Sequence, residues 1–113
     1  MKIVIHSNLW KWGKSFDIVA NDGSAMISVS VTNDEPEQAY ISGLSVRNPM
    51  RRKGLGTRFM NLALVQAKDC GCKYVYLMAD KDSFVFDWYK TLGFKYYGHK
   101  QDDNGFVPMY REI

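Results

Sequence analysis

The stretch from Ala39 to Ala79 constrains the fold most, because it reads as a strand, a basic glycine turn, a helix and a second strand in unbroken order. "AYISGLSV", Ala39 to Val46, has the apolar, β-branched character of a strand and is stopped by Asn48 and Pro49. Leu55 to Cys70 holds no proline and, after Gly56, no glycine; Leu55, Phe59, Leu62 and Ala63 fall at helical spacing, and Gly71 supplies the stop. "KYVYLMA", Lys73 to Ala79, is again a strand. A strand, helix and strand in this order favour parallel pairing through a right-handed crossover, which places the chain in the α/β (α+β) class.

The flanks add antiparallel elements. Lys2 to Ile5 and Ser15 to Ala20 read as strands, the second ending at the turn Asn21 to Gly23, and Ala25 to Val31 alternates isoleucine and valines with serines as a half-buried strand does. A second helix follows the strand at Lys73 to Ala79, with Asp82 or Ser83 as its cap, Phe84, Val85, Trp88 and Leu92 as its apolar stripe and Gly93 as its end. "FKYYGH" and "FVPMYREI" read as a closing strand pair around "QDDNG". At 113 residues, without linker, repeat or low-complexity segment, the chain is expected to form one domain, residues 1–113.

Composition excludes several classes. The 46% hydrophobic content argues for a folded core and against disorder, and no apolar run approaches the roughly 20 residues needed to span a bilayer. The segment Ile3 to Ile5 is too short for the core of a signal peptide, so the expected location is the cytoplasm, with no membrane partner. Cys70 and Cys72 suit neither a disulfide framework nor a zinc site of paired CxxC motifs, so no metal is expected. The net charge of +3 does not argue for nucleic acid, but its distribution is informative: Arg47, Arg51, Arg52, Lys53 and Arg58 crowd around the glycine turn.

A glycine turn that leaves a strand and opens a helix sets unpaired backbone N–H groups at the positive end of the helix dipole, where phosphate oxygens are held. Gly54 and Gly56 allow close approach, and Arg51, Arg52 and Lys53 add charge-assisted contacts. The dinucleotide fingerprint fails, because Phe59 stands where its third glycine belongs. A P-loop around Gly13 to Ser15 fails too, since Asn8 replaces its first glycine and Trp10 and Trp12 would crowd the cradle.

The run "LSVRNPMRRKGLGTRFM", Leu44 to Met60, resembles the acetyl-coenzyme A signature of the GNAT acyltransferase superfamily, with Arg51, Gly54 and Gly56 in its RxxGxG places. "FVFDWYKTLGFKYYG", Phe84 to Gly98, resembles the second signature of that family, a helix carrying a tyrosine and ending in Gly-Phe, here Tyr89, Gly93 and Phe94. The resemblance spans Ala39 to Ile113.

It implies a mixed, mostly antiparallel sheet whose central parallel strands splay apart, flanked by two main helices, with the pantetheine arm in the gap. Leu44 and Val46 would bond that arm through their backbone, the amides of Arg51, Arg52, Lys53, Gly54, Leu55, Gly56 and Thr57 would take the pyrophosphate, and Asp82, where the family often has asparagine, would lie near the arm. The reaction implied is direct acetyl transfer from acetyl-coenzyme A to a primary amine, with Tyr89 as acid or partner of the leaving thiolate. A phenol titrates near enough to a thiol for that hydrogen bond to help.

Two departures stand out. Many members carry a glutamate on the strand before the phosphate loop, and "AYISGLSV" has no acid. Asp80 is the first substitute as general base; His6 and His99 titrate in a suitable range, and a water relayed through Ser42 would need no named base. Where the family inserts two helices that wall the acceptor site, this chain has only the nine residues His6 to Lys14. An open acceptor side follows, bordered by Trp10 and Trp12 and suited to a protein or peptide amine. The competing reading is a coenzyme A-binding or protein-interaction module without catalysis, favoured by the missing glutamate; a nucleic-acid reading of the basic loop ranks third. The oligomeric state is left open by the sequence.

Overall fold

A computed structural model describes residues 1–47, 54–96 and 105–113. Among the described residues the strands are β1 (Ile3–Trp10), β2 (Gly13–Ala20), β3 (Ala25–Thr32), β4 (Gln38–Val46), β5 (Tyr74–Asp80), β6 (Lys95–Tyr96) and β7 (Phe106–Glu112); the helices are α1 (Leu55–Asp69) and α2 (Phe84–Thr91). The strands form one sheet in the order β1-β2-β3-β4-β5-β7-β6. Of these neighbours only β4 and β5 pair in parallel, as the strand-helix-strand reading requires, and the others run antiparallel. Among the described residues no helix is long and apolar enough to cross a membrane.

Period-two patterning decides what the sheet covers. In β3, Ala25, Ile27, Val29 and Val31 are buried, while the residues between them are exposed or half-buried. The same alternation buries Ile18 and Ala20 in β2, Ala39 and Ile41 in β4, Val75, Leu77 and Ala79 in β5, and Val107 and Met109 in β7. All of these join one core with Leu55, Phe59, Met60, Ala63, Leu64 and Ala67 of α1 and with Phe86 and Tyr89 of α2. Both helices therefore sit on a single face of the sheet. The other face carries no helix among the described residues and shows polar groups such as Asp17 and Ser28, bonded Oγ to Oδ1 at 2.8 Å.

Three sequence expectations are corrected. His6 to Lys14 is not a loop: β1 runs on to Trp10, and a two-residue turn, Lys11 and Trp12, returns directly into β2 at Gly13. Gly13 is required there by close approach, since a Cβ would run into the carbonyl oxygen of Val31 in β3. On α2 the buried residues are Phe86 and Tyr89, whereas Phe84 is 68% exposed, because the helix turns its Phe86 side to the sheet. Of the strand expected over "FKYYGH", Lys95 and Tyr96 are observed and Phe94 lies just before it, buried in the core; Tyr97 to His99 and most of the turn "QDDNG" lie outside the described residues.

The helix signals stand. Ser83 caps α2, its Oγ accepting the N–H of Val85 at 3.4 Å. Helix α1 begins at Gly54, whose φ of 73° is left-handed backbone, and it has neither a side-chain cap nor an acidic residue in its first turn. Its first amides are thus unclaimed by any capping side chain.

Candidate active site

The site grows from one irregularity in β4. Ser28 pairs with Ser42 but Met26 pairs with Ser45, so β4 carries one residue more than β3 across this span. Gly43, at φ 68°, takes the left-handed conformation of such a bulge, which bends the strand. On the other side of β4, pairing with β5 stops at Tyr40 and Tyr76. Beyond that point the two parallel strands separate, and the gap opens toward the start of α1.

Two cavities occupy the gap. The first, about 390 Å³, lies between Leu44, Ser45 and Val46 of β4, the turn and first residues of α1 at Gly54, Gly56 and Thr57, and the α2 side from Ser83 to Tyr89. The indole of Trp88 closes it against α1 so tightly that a Cβ on Gly56 would lie 3.3 Å from the ring. The second cavity, about 350 Å³, is lined by Tyr40 to Leu44 of β4, Leu77 and Met78 of β5, Tyr89 and Phe106. Leu44 and Tyr89 line both. They form the wall at which the two spaces meet.

Tyr89 is held there by its rings. It packs against Trp88 at 5.3 Å between centroids and edge-on to Phe94 at 5.9 Å. Burial pushes the phenol above its ordinary pKa, so the hydroxyl keeps its proton throughout the neutral and mildly alkaline range.

Of the residues singled out in the sequence, Leu44, Val46, Gly54, Gly56, Thr57 and Tyr89 are brought together. Leu55 turns its side chain into the core and leaves its backbone at the helix start. Arg51, Arg52 and Lys53 lie outside the described residues. Of the remaining basic cluster, Arg47 donates to the carbonyl of Asp22 at 2.7 Å and Arg58 is exposed on α1. Asp80 ends β5 opposite Phe106, but its Oδ1 accepts the amide of Asp82 at 3.0 Å and its carbonyl accepts that of Ser83, a turn that sets up α2. Neither Asp80 nor Asp82 lines either cavity.

Trp10 and Trp12 stack at 6.1 Å and 8° at the tip of the β1–β2 hairpin. The register Trp10, Gly13, Thr32 puts them beyond the level of Tyr40, at the end of the sheet away from Val46, and they line neither cavity. Missed from the sequence were the α2 wall of Phe84, Val85 and Trp88, and Tyr40, Met78 and Phe106 in the second cavity. Phe84 and Trp88 had a signal, an aromatic pair one turn apart, which reads equally well as core.

A family profile for the acetyltransferase (GNAT) family matches residues 7–94. The chain belongs to that family. Solved structures of the same fold include a GNAT family acetyltransferase from Elizabethkingia anophelis with acetyl-CoA bound, at 14% identity and TM-score 0.75 over 98% of both chains. Ard1 from Thermoplasma volcanium follows at 20% identity and TM-score 0.73, over 88% of this chain and 70% of that one. PaiA N-acetyltransferase from Thermoplasma acidophilum in complex with coenzyme A shares 18% identity, with TM-score 0.71 over 88% and 60%. At these identities the likeness is one of fold. No curated protein sequence matches the chain.

The residues present fit the acetyl-coenzyme A that a GNAT fold implies. A cavity walled by Val46, Val85 and Trp88 leads to helix-start amides that no described side chain caps, and the glycines at 54 and 56 leave space that side chains would fill. Among the described residues no group of three or more His, Cys, Asp or Glu could hold a metal ion.

Proposed function

We propose that this GNAT chain transfers an acetyl group from acetyl-coenzyme A directly to a primary amine, favouring the amine of a protein or peptide. The observation that carries the reading is the pair of cavities meeting at Leu44 and Tyr89. A donor reaching in from the α1 side and an acceptor reaching in from the other would face each other across that wall.

In this reading the backbone of Leu44 and Val46, beyond the last β4–β5 pair at Tyr40 and Tyr76, bonds the pantetheine arm. The amides at Gly54 to Thr57 receive the pyrophosphate, where the helix dipole favours negative charge. Arg51, Arg52 and Lys53 add charge to that end. Bound there, the donor supplies an acetyl thioester. As the amine nitrogen bonds to the acetyl carbon and the carbon–sulfur bond breaks, Tyr89 donates a hydrogen bond or its proton to the departing sulfur. A phenol held protonated by burial is suited to that task.

The acceptor reading rests on access. The second cavity opens beside Tyr40, Ser42 and Met78, whose alternation puts them on the face without helices, so a chain segment can approach across the sheet. Its described lining contains no carboxylate and no histidine. Proton removal from the amine is therefore assigned to water at Ser42, with Asp80, two residues beyond Met78, as a turn-forming acid nearby. The missing acid also favours the second reading, a coenzyme A-binding module without turnover.

Thiol release from acetyl-coenzyme A, with a lysine-containing peptide or a polyamine as acceptor, tests both. Release with the peptide and little with the polyamine supports the proposal. Release only with the polyamine overturns the acceptor class, and binding of coenzyme A with no release from either supports the module.

A further inference from the structure

We infer that the free edge of β1 is a self-pairing surface, joining two copies of this chain across a twofold axis at Ser7 into one continuous sheet. The inference is independent of the acetyl-transfer reading.

Among the described residues the edge is unprotected. Edge strands that avoid pairing are usually short, bulged, or interrupted by proline or charge. β1 has eight residues, Ile-Val-Ile-His-Ser-Asn-Leu-Trp, with no proline, no bulge against β2 and no lysine or carboxylate. Asn21 donates its amide to the carbonyl of Lys2, which makes Lys2 a bonded partner of β2 and, by the alternation of an antiparallel ladder, Val4, His6, Asn8 and Trp10 likewise. Ile3, Ile5, Ser7 and Leu9 then point their N–H and C=O groups away from β2 into solvent. Their side chains lie on the helix side of the sheet, as the pairing of Ile5 with buried Ile18 requires. Yet α1 packs chiefly over β3 and β4, and Ile5 is 39% and Leu9 88% exposed.

The occupant follows from the order of the residues. Antiparallel pairing of β1 with itself about Ser7 sets Ile5 against Leu9 of the second copy, Val4 against Trp10, and His6 against Asn8. Apolar meets apolar on both faces, and the outward groups of Ile5, Ser7 and Leu9 make about six backbone hydrogen bonds. Moving the axis to His6 sets Ile5 against Ser7, Val4 against Asn8 and two imidazoles together. Because β1 pairs with the same strand of the second copy, the contact is isologous and closes at two copies. It also covers the Trp10–Trp12 stack, half-exposed at 49% and 48%, against Val4 of the other copy.

Light scattering on the full chain gives the test, with a mass twice the 13.0 kDa of one chain expected. Ser7→Pro removes an N–H that bonds nothing within one copy, a position where an edge strand tolerates proline, and is expected to leave only monomer with unchanged thiol release. Leu9→Lys, changing a side chain already in solvent, is expected to weaken the pair at least tenfold and answers the question if the proline variant fails to fold. The register is tested by mild oxidation. Ser7→Cys should give a covalent dimer, its Cα atoms about 5.5 Å apart, and Ile5→Cys should not, at about 14 Å, against the unchanged chain as background for Cys70 and Cys72. A protein that stays monomeric at millimolar concentration, an open-ended series of larger species, or a dimer indifferent to both Ser7→Pro and Leu9→Lys overturns the proposal. A covalent dimer of the Ile5→Cys chain, with none of the Ser7→Cys chain, overturns the register.

Discussion

Tyr89 carries opposing demands that its surroundings reconcile. Its ring is core, packed on Trp88 and Phe94, while the residue also lines both cavities. Tyr89→Phe keeps the packing and removes the donor, so thiol release should fall about a hundredfold or more while coenzyme A binding, read by calorimetry, stays within a few-fold. Stability responds too. Because the folded-state pKa is raised by burial, the unfolded chain loses this proton first as pH rises. The stabilising contribution is complete below the ordinary tyrosine value and is lost as pH climbs through the folded one. Above about pH 10, denaturant midpoints of the parent should therefore drop more steeply than those of Tyr89→Phe. Gly56 makes the complementary case: Gly56→Asp pushes a side chain toward the Trp88 ring and sets an anion where phosphate is proposed, and binding should weaken at least tenfold in the same calorimetry.

Among the elements, the helices were the most legible and the first hairpin the least. Period 3.6 with a glycine stop identifies α1 even in isolation, and Ser83 announces α2. Ser83→Ala should lower stability by about 0.5–1 kcal/mol, the low end for a cap because the bond is long at 3.4 Å, checked by chemical denaturation. The β1 extension hid because His6, Ser7 and Asn8 show no apolar alternation, and a strand at the sheet margin has no need of one. That same polarity made the segment look like a shortened insertion and attracted Trp10 and Trp12 into the acceptor reading; only the register, a long-range fact, shows how far along the sheet they sit. The phosphate-loop signature was readable from letters because backbone and glycine define it. The general base was not, since placement relative to the gap is tertiary: Asp80 is spent on the turn into α2.

At the scale of the whole molecule, the described residues form one core beneath one helical layer and leave the other face of the sheet without a helix, and ligands should contribute visibly to stability. Coenzyme A at about a hundred times its dissociation constant would add about 2.7 kcal/mol, raising the melting temperature by about ten degrees or more. A scan showing no shift at saturating coenzyme A would remove the donor site from the account. Raised salt should weaken the same interaction, as expected of an anion held by a helix start and neighbouring cations.

The bulge at Gly43 has a consequence for how this architecture trades order against use. Deleting that single residue would leave Leu44 and Val46 on the side they occupy now, opposite Ile27 and Ala25, while letting β4 run straight beside β5. The sheet would gain regularity and lose its slit. The slit is thus a standing imperfection, and the ladder on either side of it is the chain's idle alternative, separated from the working form by one residue whose side chain is a hydrogen atom.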